Sequence, residues 1–284
     1  MTHSILKASA VAFCACAALM FTSCNGGAKK AAQTEEAVEL PEGICKYAND
    51  GFDLYWVRDN AESSKNKASL FAGATDEMVE ELGLTDGIPA SMSTFLIQQD
   101  GKNLLFDTGM GNMLLPNLAV LGVNPEDVDA VFITHLHGDH IGGLTKDGNA
   151  VFTNAKLYLG REEYEAWMAM DESRSASPKA ALAPYQENMV LFEFDDVLPC
   201  GVKALDSVGH TPGHTSFLKG NVLIAGDIMH GVALQMAHPE LNASFDMDQE
   251  KAAASRLKMI NMAKEGKLLL CGMHFPDGGT VDFR

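Results

Sequence analysis

Short apolar runs broken by polar or glycine-containing turns dominate this chain, and their spacing predicts strands more often than helices. Phe52-Asp53-Leu54-Tyr55-Trp56-Val57 has strand chemistry, rich in aromatic and branched side chains. Thr94-Phe95-Leu96-Ile97 and Asn103-Leu104-Leu105-Phe106 flank Asp100-Gly101, where glycine supplies the positive φ of a tight turn, so a hairpin is predicted. Further strands are predicted at Ala130–Ile133, Lys156–Leu159, Met189–Phe194, Val202–Ser207, Asn221–Ala225 and Leu268–Cys271. Helical patterning covers Thr75–Leu82, behind an acidic first turn, and Asn112–Leu121, limited or kinked by Pro116. It returns at Arg161–Met170 and at Asp248–Lys264, where Ala252, Ala253, Leu257, Ile260 and Met262 sit among charged residues. Asn60–Ala68 is polar and loop-like. Asp171–Pro184, rich in Ser, Ala and Pro, falls outside the sheets as either helix or loop. The apolar patch Ser69–Ala74 reads as core in preference to an exposed lid.

The first residues follow a different pattern. Met1–Lys7 is short and weakly basic, and Ala8–Phe21 is an almost unbroken apolar run, short for a bilayer span but suited to the core of a signal peptide. It ends in Phe21-Thr22-Ser23-Cys24, which resembles the processing box of bacterial lipoproteins, although that box usually has an aliphatic residue where Phe21 stands. Residues 1–23 are therefore expected to be a lipoprotein-type signal peptide. Cys24 would carry the lipid anchor and be the chain's contact with a membrane, with the protein exported to the cell envelope or periplasm. Plain secretion and an uncleaved N-terminal anchor are the alternatives. Residues 24–46, mostly Gly, Ala, Lys, Gln and Glu, cannot bury a core and read as a flexible tether. A single domain is expected over 47–284.

Composition narrows the partners. The formal charge of −17 across 284 residues, with no basic stripe, argues against nucleic acid, whose phosphates need Lys and Arg. A small-molecule substrate remains. Cys45, Cys200 and Cys271 are too few and too widely spaced for a disulfide framework, and free thiols are expected.

The candidate chemistry is concentrated in Thr134-His135-Leu136-His137-Gly138-Asp139-His140, at the end of the predicted strand Ala130–Ile133. Nine His occur in the whole chain, so three in this one loop is far from even scatter, and a merely polar surface loop is a poor account of it. His135 and His137 can grip one metal, and Asp139 and His140 can hold a second on the other side of the turn. Zinc usually takes four ligands, so later segments must supply the rest. The candidates are Gly209-His210-Thr211-Pro212-Gly213-His214-Thr215-Ser216, Gly226-Asp227 at a strand end, and His274 beyond the last predicted strand. Each candidate follows a strand, as in sites carried on the terminal loops of rigid sheets.

His135-x-His137-x-Asp139-His140 with His214, Asp227 and His274, and Asp107 in the Phe106-Asp107-Thr108-Gly109 turn, resembles the metallo-β-lactamase-fold hydrolases from about Thr94 to His274. The text around Asp227 and His274 is most similar to the branch holding methyl parathion hydrolases and acyl-homoserine lactonases. The resemblance implies an α/β (α+β) four-layer αββα sandwich with a site for two divalent metal ions. Zinc fits, though the same ligands accept iron, manganese or cobalt. It further implies that His135, His137 and His214 hold one metal, Asp139, His140 and His274 the other, and that Asp227 bridges them. Asp107 would orient a ligand from behind, and His210 would brace its turn rather than bind metal. A hydroxide shared by the metals would attack a lactone or ester carbonyl, or a phosphotriester. Asp139 would shuttle the proton to the leaving group. His230 stands where the acyl-homoserine lactonases carry Tyr, and can contact substrate. A glyoxalase II-type thioester hydrolase, or a non-catalytic metal-binding protein that keeps the fold, are the alternatives.

Overall fold

The computed structural model describes residues 40–284. Residues 1–39 lie outside it, and with them the expected signal peptide, Cys24 and most of the expected tether. Among the described residues no helix is long and apolar enough to cross a membrane.

Two sheets carry the fold, and each runs in sequence order from edge to edge. The first has seven strands: β1 (Ile44–Asn49), β2 (Phe52–Arg58), β3 (Ser93–Gln99), β4 (Lys102–Phe106), β5 (Ala130–Ile133), β6 (Lys156–Gly160) and β7 (Met189–Phe192). β1 to β4 pair antiparallel, and β4 to β7 pair parallel. The second has six: β8 (Val197–Leu198), β9 (Val202–Asp206), β10 (Thr215–Lys219), β11 (Val222–Ile224), β12 (Leu269–Cys271) and β13 (Thr280–Asp282), all antiparallel except β11 with β12. The β3–β4 hairpin turns at Asp100 (φ 50°) and Gly101 (φ 74°), both in the left-handed region that such a tight connection requires.

The strands bury both faces, and this makes four layers. Phe95, Ile97, Leu104, Phe106 and Phe132 point inward against Phe217, Val222 and Ile224 of the second sheet. Phe132 stacks on Phe106 at 5.0 Å and meets Phe217 edge-on at 5.6 Å. The alternate residues Leu96, Leu105, Val131 and Ile133 face outward onto Leu114, Leu118, Trp167 and Leu182. Those four residues come from the helices α2 (Leu114–Val120), α4 (Arg161–Met168) and α5 (Glu172–Leu182). On the other outer face Leu223 and Leu270 pack with Met259, Ile260 and Ala263 of α7 (Gln249–Gly266), whose N-cap Asp248 accepts from Lys251 N. The one-turn helices α3 (Gly138–Ile141) and α6 (Val232–Gln235), with α1 (Asp76–Glu81), sit in connections. This is the expected αββα sandwich.

Several boundaries differ from the sequence reading. β1 starts at Ile44, inside the expected tether, because Ile44 is buried and the strand pairs along its whole length with β2. Glu42 already meets Arg58 at 3.0 Å, so the ordered domain begins before residue 47. Asp171–Pro184 is mostly helix α5, which accommodates Pro178 while Ser175 Oγ donates to the Met170 and Asp171 carbonyls. Strand β13 was not anticipated. Cys45, Cys200 and Cys271 are free.

Candidate metal centre

The first half of the site is built where β4 and β5 end side by side. Asp107 follows β4 with φ 58°, and its buried carboxylate accepts from Thr134 N (2.8 Å) and Thr134 Oγ1 (2.7 Å) at the end of β5. It also accepts from His140 Nδ1 at 2.7 Å, which assigns the proton to Nδ1 and leaves Nε2 as the outward donor atom. Asp107 thus holds the His140 ring from behind. The turn that carries it is closed by Gly109 (φ 60°), where any Cβ would lie 2.5 Å from Asp59 Oδ2. Asp59 in turn accepts from the backbone of Met110, Gly111, Met113 and Leu114, which locks this corner to α2.

Three imidazole nitrogens converge beside it, and one of them is not the one expected. His135 Nε2, His137 Nδ1 and His210 Nε2 form a triangle with edges of 3.0, 2.9 and 3.2 Å. An ion about 2.0–2.1 Å from each nitrogen in a tetrahedral site sets them about 3.3 Å apart, so the triangle needs little adjustment to hold one. His210, read from sequence as a brace, occupies the place expected of His214. The reason is hydrogen bonding. His214 spends both ring nitrogens inward: Nε2 accepts from Asp227 N at 3.0 Å, and Nδ1 meets Ser207 Oγ at 2.9 Å and Ser207 O at 3.1 Å. His214 is the brace, and belongs to none of the clusters able to hold an ion. Gly226 (φ 58°) lets the chain pass so close that a Cβ there would sit 2.6 Å from His214 Nε2.

The second half gathers Asp139, His140 and His274, with Asp227 between the halves. Asp227 Oδ2 lies 3.2 Å from His140 Nε2, 3.1 Å from His274 Nε2, 3.5 Å from His210 Nε2 and 3.7 Å from His135 Nε2. Asp139 Oδ2 is 3.3 Å from His274 Nε2. His230 reaches the same point, with Nε2 at 3.0 Å from Asp227 Oδ2 and its ring stacked on His274 at 5.0 Å. It lines the pocket, but engages Asp227.

The electrostatics divide the same way. Burial, aided by the other imidazoles, holds His135 and His210 well below the usual range and His137 down to about 4, so these rings are neutral, the form that binds metal. Around His140 and His274 burial is outweighed by carboxylates. Asp227, Asp107 and Asp139 raise His140 strongly, and Asp227 with Asp139 raises His274 to about 10. Burial works against ionised Asp227 and Asp139, yet the adjacent imidazoles pull both below the ordinary carboxylate range. The point therefore favours positive charge, which a proton or a divalent ion supplies. His140 Nε2 and Asp227 Oδ1 are buried without a hydrogen-bond partner, which fits atoms whose partner is a cation.

Supporting residues came from parts of the chain that carried no sequence signal. Glu163 of α4, fully buried, accepts from Leu136 N (2.9 Å), between the first two His, and from Trp167 Nε1 (2.6 Å). Its other oxygen accepts from Thr211 Oγ1 and Gly213 N, both at 2.8 Å, so one carboxylate ties the two His-bearing loops together. Asp246 Oδ1 receives His210 Nδ1 at 2.8 Å, and buried Arg256 supports Asp246 while donating to Ile228 O next to Asp227. The pocket over the site, about 460 Å³, has Asn66, Leu70 and Phe245 as its outer wall. Met236 and His238 do not line it, and His238 faces Glu240 at 3.6 Å. In the Ser69–Ala74 patch Phe71 is core, as read, while Leu70 reaches the pocket.

An αββα sandwich with a cluster of His and Asp able to hold metal at one edge, where strand ends meet, defines a class of metal-site proteins. The chain belongs to the metallo-β-lactamase superfamily, whose family model matches residues 89–274. It is 30% identical over 158 residues to an N-acyl homoserine lactonase of Bacillus thuringiensis, covering 54% of this chain and 58% of that protein. The chain thus matches little more than half the length of that curated relative. Among solved structures it is similar to the hydrolase AbOPH of the beta lactamase superfamily, with a TM-score of 0.75 and 27% identity over 86% of this chain and 94% of that one. The dizinc quorum-quenching lactonase AidC has the same fold, with a TM-score of 0.75 and 24% identity over 85% and 93% of the two chains.

Proposed function

We propose that this chain is a dinuclear metallohydrolase that cleaves the ester bond of a lactone or open ester. The observation that carries the reading is the placement of Asp227 Oδ2 between two donor sets, one of three neutral imidazoles and one of Asp139, His140 and His274. His135, His137 and His210 would hold one ion, Asp139, His140 and His274 the other, and Asp227 both; zinc suits these ligands. Two such ions supply an activated water and a Lewis acid for the scissile carbonyl. The remaining work belongs to the protein. Asp139, 30% exposed, takes the proton of the attacking water and returns it to the leaving alkoxide as the acyl C–O bond breaks. His230 holds the far side of Asp227 and presents its ring edge to the bound substrate. Leu70 and Phe245 cover the acyl part and exclude water. The lactonase named among the relatives supports a lactone as the first substrate to try. An N-terminal lipid anchor at Cys24, proposed on the sequence, would keep the domain at a membrane; Cys24→Ser should release it to the soluble fraction.

The test is metal analysis together with turnover of lactones, aryl esters, phosphotriesters and S-lactoylglutathione. The expected result is about two metals per chain, with ester or lactone turnover abolished by Asp227→Ala. Full turnover by that variant would overturn the mechanism, and exclusive turnover of the thioester would replace the substrate class.

A further inference from the structure

A second cavity, about 680 Å³, adjoins the metal pocket and shares His137, Gly138 and Phe245 with it, so the two form one cleft. Beyond the shared residues Trp167, Pro178 and Met247 give it apolar walls, Ser177 and Ser244 add hydroxyls, and Arg174 is its one cation among the described residues. Arg174, Ser177 and Pro178 are spaced to share one face of α5. The carboxylate at this cavity, Asp246, is already committed to His210 and Arg256.

Arg174 stands apart from the other arginines of the described residues. Arg58, Arg161, Arg256 and Arg284 each pair with a carboxylate. Among the described residues Arg174, an exposed side chain, has no carboxylate within 4.0 Å and makes no side-chain hydrogen bond, in a chain with 38 acidic residues to 21 basic ones. A guanidinium presents a planar fork of donors matched to a carboxylate. Here that fork opens onto a partly apolar cleft that leads to the metal centre.

We propose that this cavity is a subsite for an anionic end of the substrate: Arg174 receives a terminal carboxylate, while Trp167 and Phe245 cover the chain between it and the scissile ester. The inference rests on the hydrolase reading above and adds the substrate's charge to it. The preferred substrate is then an ester or lactone whose acyl part ends in a carboxylate, rather than one with a plain alkyl tail.

The test compares para-nitrophenyl half-esters of dicarboxylic acids, from glutarate to azelate, with the neutral alkanoate esters of matching length. The expected result is a kcat/KM ratio that favours the anionic member at one chain length. That ratio should fall about fivefold in Arg174→Gln at low ionic strength, shrink with added salt, and be only partly kept in Arg174→Lys, which retains the charge but not the planar fork. A wild-type ratio at or below one at every length, or a ratio that Arg174→Gln leaves unchanged, overturns the subsite. Calorimetric binding of adipate against hexanoate to the metal-loaded protein reads the same contact without turnover. A protein that hydrolyses none of the esters but prefers adipate through Arg174 keeps the subsite and loses the hydrolase reading. An inactive protein that binds the two acids equally loses both.

Discussion

Replacing His210 and, separately, His214 by Ala distinguishes two rings that lie four residues apart in one turn. His210 Nε2 supplies one corner of the nitrogen triangle, so His210→Ala removes a donor from the first metal position. Structural zinc sites release about 10–16 kcal/mol across four ligands, or about 3 kcal/mol per ligand, so affinity at that position should fall about 10²–10³-fold. His214→Ala does something else. It strands the buried N–H of Asp227 and frees Ser207, at a cost of about 1–3 kcal/mol, which lowers Tm by several degrees in a domain of this size. Its effect on the metal acts only through Asp227 and should stay within about 10–100-fold. His214→Gln, whose side-chain oxygen can still accept from Asp227 N, should recover much of the lost stability. Competition against a chromophoric chelator gives the affinities, and calorimetry of the metal-free proteins gives Tm. Two metals bound with wild-type affinity by His210→Ala, together with loss of one metal in His214→Ala, would refute the assignment.

Glu163→Gln turns one acceptor of the loop-to-loop clamp into a donor facing donors. It should cost about 2–4 kcal/mol, read as a Tm lower by roughly 5–10 °C, and weaken metal binding. Arg256→Met leaves Asp246 as a buried carboxylate without its cation and should destabilise the fold by about 3–5 kcal/mol in urea unfolding; no loss would show the pair to be dispensable. Phe132→Ala opens a hole between the sheets, where the ring meets Phe106 and Phe217, and should cost about 3–5 kcal/mol with little effect on metal content in the folded fraction. Stripping the metals with a chelator at neutral pH should lower Tm by about 10 °C, the linkage expected when free metal stands near a thousand times its dissociation constant. An unchanged Tm would mean that the donor clusters do not hold an ion that stabilises the fold.

Much of this was legible in one dimension because local chemistry governs it. The Asp100-Gly101 turn needs left-handed backbone and has residues that tolerate it, so the β3–β4 hairpin could be read directly. The His-rich loop, Asp107, Asp227 and His274 each follow an apolar run, so their gathering at strand ends followed once the runs were taken as strands. The layer count was less direct. Strands such as Ala130–Ile133 are buried on both faces, which erases the alternation that would say which side chains point to which core.

What the tertiary structure alone decided is which ring of a pair joins the donor cluster and what holds it there. His210 and His214 are equivalent as letters in a turn. They become different because Asp227 N and Ser207, both close to His214, claim its two nitrogens, while Asp246 turns His210 toward His135 and His137. Glu163, the clamp between the two loops, and Arg174, a cation of the adjoining cavity, carry no motif. Sequence specified the donors because metal chemistry needs particular residue types. The fold assigned their roles, because a hydrogen bond between residues far apart in the chain exists only once the layers have packed.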